Sequence, residues 1–453
     1  MIPILLFLTL QLSGQIIKLD LNSEKFGWFK GTITISDTSH TKPPVIEPPE
    51  PSETNHRTFY DVIGFNGNIL LGSKTDGWLD DTLRSKASIF SANRIFVLAS
   101  HDFVNKNGIK LPFKIKFPEP NMATCPNINS GWGTTNAAWK SRFCIYDNLF
   151  KTNFASPELI FNQDGKGNQI YLKYPNKSLT YEEMKSDPYW AGFKYGHYMS
   201  KSLEDEIDVI EAWNEPHGEP SIEHHNQWAK GMHDALVKNK SNIRFCTSDR
   251  TASGYEFWQE KAKNTRIEDV NINLYTDIQM HAYSFDAKFQ LIIPPEVSLF
   301  KDNPSVLTKI RDMHSYIEKN NLNHRWHLTE YGYSSYALGG DNDGETIQAA
   351  FILRTIAHAM RYGVYTTFVY QLQDEPFEPF KDCGLITKDG HEKVAYKVLK
   401  TMVTKFKDYY FEKTILDDGE NFSYQFTNGS DYFIMSWSVN DSNLPIFKFK
   451  DRN

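Results

Sequence analysis

The chain has 453 residues, 40% of them hydrophobic and 23% charged, the balance of an ordinary globular protein. That length exceeds one small domain and suits a single barrel of about 250 or more residues with appendages. The formal net charge is −7 with no long basic run, which argues against nucleic acid and anionic membrane surfaces as partners.

The first residues, Met1 to Gly14, are mostly apolar but too few to span a bilayer, and read as a signal peptide over 1–14. They lack a basic leader, so a buried N-terminal strand is the competing reading. Residues 15–41 hold β-type pieces such as Gly31-Thr32-Ile33-Thr34-Ile35. Five prolines between Lys42 and Pro51 exclude helix and central strand there, which makes 42–56 an extended connector. A barrel is expected over 57–405.

Within that span, 61–67 reads as the first strand, 79–92 as a helix and 94–100 as the second strand. Residues 102–190 are rich in Asn, Gly, Pro and Lys; they must hold a third strand and a long insertion of the kind that builds rim loops. After that the alternation is regular. Helix is expected over 182–203, strand over 207–213, and an amphipathic helix over 221–239 with Trp228, Met232 and Leu236 at four-residue steps. Strands follow at 242–247 and 278–283. Val306, Ile310, Met313 and Ile317 mark the next helix. A strand at 325–329, a helix at 345–362, a strand at 365–370 and a helix at 393–405 complete the series. Such alternation points to a parallel sheet. The tail, 406–453, changes to period two, with a hairpin across Asn428-Gly429. It reads as a small β-domain, to which the N-terminal pieces are candidates for joining.

The four cysteines are Cys125, Cys144, Cys246 and Cys383. Three pairings are open to them in an oxidising compartment, and Cys125 with Cys144 is the expected one because both lie in one loop-rich stretch. Asn-X-Ser sequons at Asn176, Asn239, Asn421, Asn428 and Asn440 agree with a secreted or lumenal protein. His217, His224, His225 and His233 include pairs four apart, as metal ligands can be. They lack a carboxylate partner motif and read as a solvated helix face. No metal or cofactor is expected.

Two glutamates carry the chemistry. Glu215 follows the apolar run at 207–213 and precedes Pro216, and Glu330 ends Trp326-His327-Leu328-Thr329 and precedes Tyr331-Gly332. Two carboxylates delivered by strand ends to one rim are what cleavage of a glycosidic bond requires. One stays protonated to assist the leaving group, and the other stays ionised to attack or stabilise the sugar cation. A surface glutamate at a turn is the plainer reading of each, and their pairing favours catalysis. His281 and Tyr283 lie two apart at the end of a strand and so share a face.

The Trp213-Asn214-Glu215-Pro216 string, with Thr329-Glu330-Tyr331-Gly332 later in the chain, resembles clan A of the glycoside hydrolases over roughly residues 57–400. The resemblance implies a (β/α)8 barrel with the acid/base after the fourth strand, here Glu215, and the nucleophile after the seventh, here Glu330. It further implies that Asn214 bonds the sugar 2-hydroxyl, that His281 and Tyr283 line the site with Tyr283 near the nucleophile, and that an arginine of the second strand reaches that nucleophile. Arg94 opens its apolar run, at the end of the strand away from the rim, and reads as structural. His101, at the far end, is the better-placed sugar contact. The clan's strand-eight Trp is absent; Tyr370 is the nearest aromatic, and this is a departure from the pattern. Aromatic residues make up 14% of the chain, which suits sugar platforms as well as a packed core. The expectation is a secreted retaining β-glycoside hydrolase with a carbohydrate substrate, and the alternative is a catalytically inactive glycan-binding barrel.

Overall fold

The computed structural model describes residues 57–66, 85–98, 152–158, 161–163, 169–171, 187–202, 204–205, 207–215, 221–250, 266–286, 290–298, 304–336, 338, 342–374, 380–439 and 445–451. The expected signal peptide, N-terminal β-segment and proline connector, together with His101, Cys125, Cys144 and His217, lie outside these residues.

The strands run in chain order as β1 (Ile63–Asn66), β2 (Ala92–Leu98), β3 (Thr152–Glu158), a short antiparallel pair β4 (Phe161–Gln163) and β5 (Gln169–Tyr171), then β6 (Val209–Glu211), β7 (Arg244–Asp249), β8 (Asp277–His281), β9 (Arg325–Tyr331) and β10 (Thr366–Val369). Eight of them close a parallel barrel in the order β1-β10-β9-β8-β7-β6-β3-β2. Its interior is packed with side chains, as in other eight-stranded barrels: Ala92, Phe154, Val209, Cys246 and Phe368 form one buried cluster. The Phe154 ring meets Phe368 edge-on at 4.8 Å.

One sequence expectation is corrected here, and the third strand expected within 102–190 is located. The second strand begins at Ala92, two residues before the apolar run suggests, and so takes over the end of the helix expected at 79–92. The third barrel strand is Thr152–Glu158. Its sequence, Thr-Asn-Phe-Ala-Ser-Pro-Glu, offers only Phe154 and Ala155 as a hydrophobic signal, too little to stand out.

Among the described residues the helices include α1 (Phe59–Val62), α2 (Pro188–Ser202), α3 (Ile222–Asn239), α4 (Val306–Lys319), α5 (Asn342–Arg361) and α6 (Val394–Phe406). α2 starts six residues later than expected, with Pro188 as its first residue, where a missing N–H costs nothing. Ser221 caps α3 by accepting the His224 N–H, and Trp228, Met232 and Leu236 are buried as their spacing predicts. The backbones of α2 and α3 touch: a Cβ on Gly231 would fall 2.0 Å from the Tyr189 carbonyl oxygen. His225 is also buried, which corrects its reading as a solvated residue. Its Nε2 lies 2.5 Å from Ser248 Oγ, and burial beside Arg250 holds it neutral.

The tail forms an antiparallel sheet of β11 (Tyr410–Asp417), β12 (Asn421–Thr427), β13 (Asp431–Ser438) and β14 (Ile446–Asp451). The expected hairpin is its centre. Phe59 packs on Phe426 at 5.1 Å. Buried Glu296 joins barrel and sheet: it accepts from Arg354 Nε at 3.0 Å, and from Trp437 Nε1 of the sheet at 2.8 Å. Burial pushes this carboxyl up, but His358 and Arg354 prevail and hold it at about 2.

Candidate active site

The segment leaving β6 carries Ala212 to Glu215 past β7: the Ala212 N–H donates to the Cys246 carbonyl and the Asp249 N–H to that of Asn214. β8 and β9 lie side by side, with His281 and Glu330 as partners across the ladder. A close approach to β10 follows. A Cβ on Gly332 would fall 2.3 Å from the Tyr370 carbonyl oxygen, so the turn after Glu330 admits only glycine without a shift.

These elements bring Glu215, Glu330 and His281 together. His281 Nδ1 lies 2.7 Å from Glu215 Oε1 and 3.6 Å from Glu330 Oε2. Tyr283, just beyond the end of β8, donates its hydroxyl to Glu330 Oε2 at 2.9 Å. Asn214 accepts from Arg94 Nη2 at 2.8 Å. Tyr370 packs on Phe380 at 4.8 Å, and Phe380 on Tyr283 at 5.3 Å, so Tyr370 borders the same aromatic group.

Arg94 overturns its reading as a residue remote from the rim. It is fully buried and donates from Nη1 to Glu330 Oε1 at 2.6 Å. Because β2 starts at Ala92, Arg94 stands beside Asn66, the last residue of β1. It is thus already near the rim end of its neighbour, and its long side chain spans the rest.

Three further residues went unrecognised in the sequence. Glu211, wholly buried at the end of β6, takes the other side of the Arg94 fork: Nε to Oε1 at 2.6 Å and Nη2 to Oε2 at 2.8 Å. Asn66 Oδ1 accepts from Arg94 Nη1 at 3.0 Å, and its Nδ2 donates to the Thr329 carbonyl at 2.9 Å. Asp249, ending β7, accepts the His281 backbone N–H at 2.7 Å. A glutamate inside the apolar Val209-Ile210-Glu211-Ala212 run was the available signal, because a buried carboxylate demands a cation.

The electrostatics follow from burial and from these pairs. Burial pushes the Glu330 carboxyl up; His281 and Arg94 pull it down, Glu215 pushes it up, and the Tyr283 hydrogen bond pulls it down. Burial lowers Arg94, but Glu211 and Glu330 outweigh it and hold the guanidinium charged. For His281 burial is likewise outweighed, by Glu330, Asp249 and Glu215, and the ring is raised to about 9. The raised value favours a proton on Nδ1, from which the ring donates to Glu215, while Arg94 Nη2 lies 3.4 Å from Nε2. Oxygen and nitrogen atoms of Glu215, Asp249 and His281 lie within 4.8 Å of one another, near enough to share a metal ion.

No protein-family model and no curated protein matches the chain. Solved structures do. A family 39 glycoside hydrolase from the gut symbiont Bacteroides cellulosilyticus WH2 superposes with a TM-score of 0.57 at 15% identity, over 84% of this chain and 71% of that one. SrfJ from Salmonella typhimurium gives 0.52 at 11% identity, over 89% and 92%. A conserved exported protein from Bacteroides fragilis gives 0.52 at 9% identity, over 86% and 89%. The chain has the (β/α)8 barrel fold of the clan A glycoside hydrolases, with a separate antiparallel sheet from its C-terminal region. Among the described residues no helix is long and apolar enough to cross a membrane.

Proposed function

We propose that the chain is a retaining β-glycoside hydrolase of the secretory pathway, acting on an oligo- or polysaccharide or a glycoconjugate. Glu330 attacks the anomeric carbon and forms the glycosyl ester while Glu215 gives its proton to the departing oxygen. Glu215, now the carboxylate, takes a proton from water, and that water releases the sugar from Glu330 with overall retention.

The bridging position of His281 carries this reading. One imidazole nitrogen contacts both carboxylates at 2.7 and 3.6 Å. The two nearest carboxylate oxygens therefore lie no further apart than those contacts laid end to end. That bound accommodates the roughly 5–5.5 Å between carboxyl groups in retaining enzymes. Exposure divides the roles. The Glu215 side chain is 33% exposed and Glu330 only 5%, as suits a group that meets water and one that meets the ring. Arg94 and Tyr283 each bond Glu330 and favour its anion. His281 supplies Glu215 with a donor in its carboxylate state, when it must act as base.

The sequons support the secretory assignment: Asn428 lies exposed in the turn between β12 and β13, open to glycosylation.

The test is a panel of dinitrophenyl β-glycosides followed by proton NMR. The β-anomer should form first, and Glu330→Gln should abolish turnover in a folded protein. An α-anomer as first product overturns retention. Wild-type activity in Glu330→Gln overturns the choice of nucleophile. Saccharide binding with no turnover of any substrate favours the inactive glycan-binding barrel instead.

A further inference from the structure

Lys309 is buried on the face of α4 that also buries Val306, Ile310 and Met313. A lysine ammonium among apolar side chains is costly unless it finds a partner. It finds one away from its own helix: Nζ donates to the Tyr283 carbonyl at 2.5 Å. Asp249 is the charge that supports it there, although burial dominates and pushes the ammonium down to about 8.

The place of that bond matters. β8 ends at His281, and two residues later Tyr283 must hold its hydroxyl on Glu330. The backbone of this tripeptide is fixed at three points. The His281 N–H goes to Asp249 Oδ1 at 2.7 Å, the Ala282 N–H to the Glu330 carbonyl at 2.8 Å, and the Tyr283 carbonyl to Lys309. The first two points lie upstream of Tyr283. Lys309 holds the residue itself, and through Asp249 its charge also faces the His281 anchor.

We infer that Lys309 is a positioning residue, which sets the Tyr283 hydroxyl on Glu330 by holding the Tyr283 carbonyl. The inference deepens the glycosidase reading and rests on it for its kinetic consequences. The contact that it explains, Tyr283 to Glu330, is observed independently of activity.

The experiment is a double-mutant cycle of Lys309→Met and Tyr283→Phe, read as kcat and KM on a dinitrophenyl β-glycoside cleaved by the wild type. It is accompanied by a crystal structure of the Lys309 variant. Loss of a hydrogen bond to a charged group corresponds to about a tenfold to hundredfold effect. Lys309→Met should lower kcat by that factor, leave KM within about twofold, and have little effect when Tyr283 is already Phe. In the variant's structure the Tyr283 oxygen should have left hydrogen-bond distance of Glu330 Oε2. Lys309→Gln keeps a donor at the site, should recover part of the loss, and serves in the cycle if the Met variant does not fold. Equal losses in both Tyr283 backgrounds overturn the inference, as does an unchanged Tyr283–Glu330 contact. If the wild type cleaves no activated glycoside the functional reading fails, and the crystal structure alone still decides the role of Lys309.

Discussion

Arg94 and Glu330 are 236 residues apart in the chain, and they meet at 2.6 Å with both side chains buried. Glu211 occupies the other side of the same guanidinium. One buried cation thus serves two buried carboxylates. Removing one member of such a set strands charge in the interior, which costs about 3–5 kcal/mol. Arg94→Met should therefore lower stability by about that amount at pH 7 in urea unfolding, besides removing activity. The sign of its pH dependence is also set. Burial raises Glu330 in the folded state, and without Arg94 a larger penalty falls on its charged form. That penalty is relieved as pH falls through the folded pKa. The deficit against wild type should shrink from pH 7 to pH 5, and a constant or growing deficit would contradict the assignment.

Glu211 tests whether Arg94 is oriented or electrically balanced. Both Glu211 oxygens engage the fork, so much of its charge is answered before Glu330 is reached. Glu211→Gln keeps an acceptor for the fork and removes a negative charge. The guanidinium then acts more fully on Glu330, stabilises its anion and weakens it as a nucleophile. The acid limb of kcat/KM, which reports the free enzyme, should move to lower pH, and kcat should fall about tenfold. Movement of that limb to higher pH would mean that Arg94 had lost its aim instead.

His281 offers a stability test that needs no substrate. Its folded value, about 9, lies above the ordinary histidine value because Glu330, Asp249 and Glu215 overcome the cost of burial. A group raised in this way contributes stability that is complete below about pH 6.5 and is lost as pH rises through about 9, on the order of 3 kcal/mol. Wild type should lose that stability between pH 6.5 and 9.5 relative to His281→Gln, as measured by urea unfolding at each pH. Parallel curves for the two proteins would show that the ring is not held as a cation.

Much of the barrel was legible because buried parallel strands read as apolar runs and their helices as four-residue steps. Ile207 to Trp213, Arg325 to Thr329 and the Trp228, Met232, Leu236 series are examples. Glu215 and Glu330 were legible as the polar ends of such runs. Legibility failed where a charge sits inside a strand. The apolar run from Ile95 hid the true start of β2 at Ala92, so Arg94 read as facing the wrong end. Glu211 was lost in the middle of its own hydrophobic stretch. Both errors have one origin. Hydrophobic patterning marks what is buried against apolar neighbours, whereas these two side chains are buried against each other. Thr152–Glu158 was missed for the opposite reason, since it has too few apolar residues to register at all. Lys309 was passed over because its helix is identified by the residues around it.

The acid/base assignment of Glu215 is open to chemical rescue. Its side chain is the more exposed of the two carboxylates, 33% against 5% for Glu330, so its removal opens a space that a small solute can enter. Glu215→Ala should cleave a dinitrophenyl glycoside far better than an alkyl glycoside, because a leaving group of low pKa needs little protonation. The first step then survives on the attack of Glu330, and the second stalls without a base to activate water. Azide should restore turnover by attacking the glycosyl ester directly, giving a β-glycosyl azide through two inversions at one carbon. His281 sharpens the prediction. In the variant it loses the acceptor at 2.7 Å while keeping Glu330 at 3.6 Å, and its retained positive charge favours the entry of an anion into the vacated space. Rescue by azide should therefore weaken when His281→Gln is added to Glu215→Ala. An α-glycosyl azide would rule out the covalent ester at Glu330. No adduct from any activated glycoside that the wild type cleaves would remove Glu215 from the acid/base role.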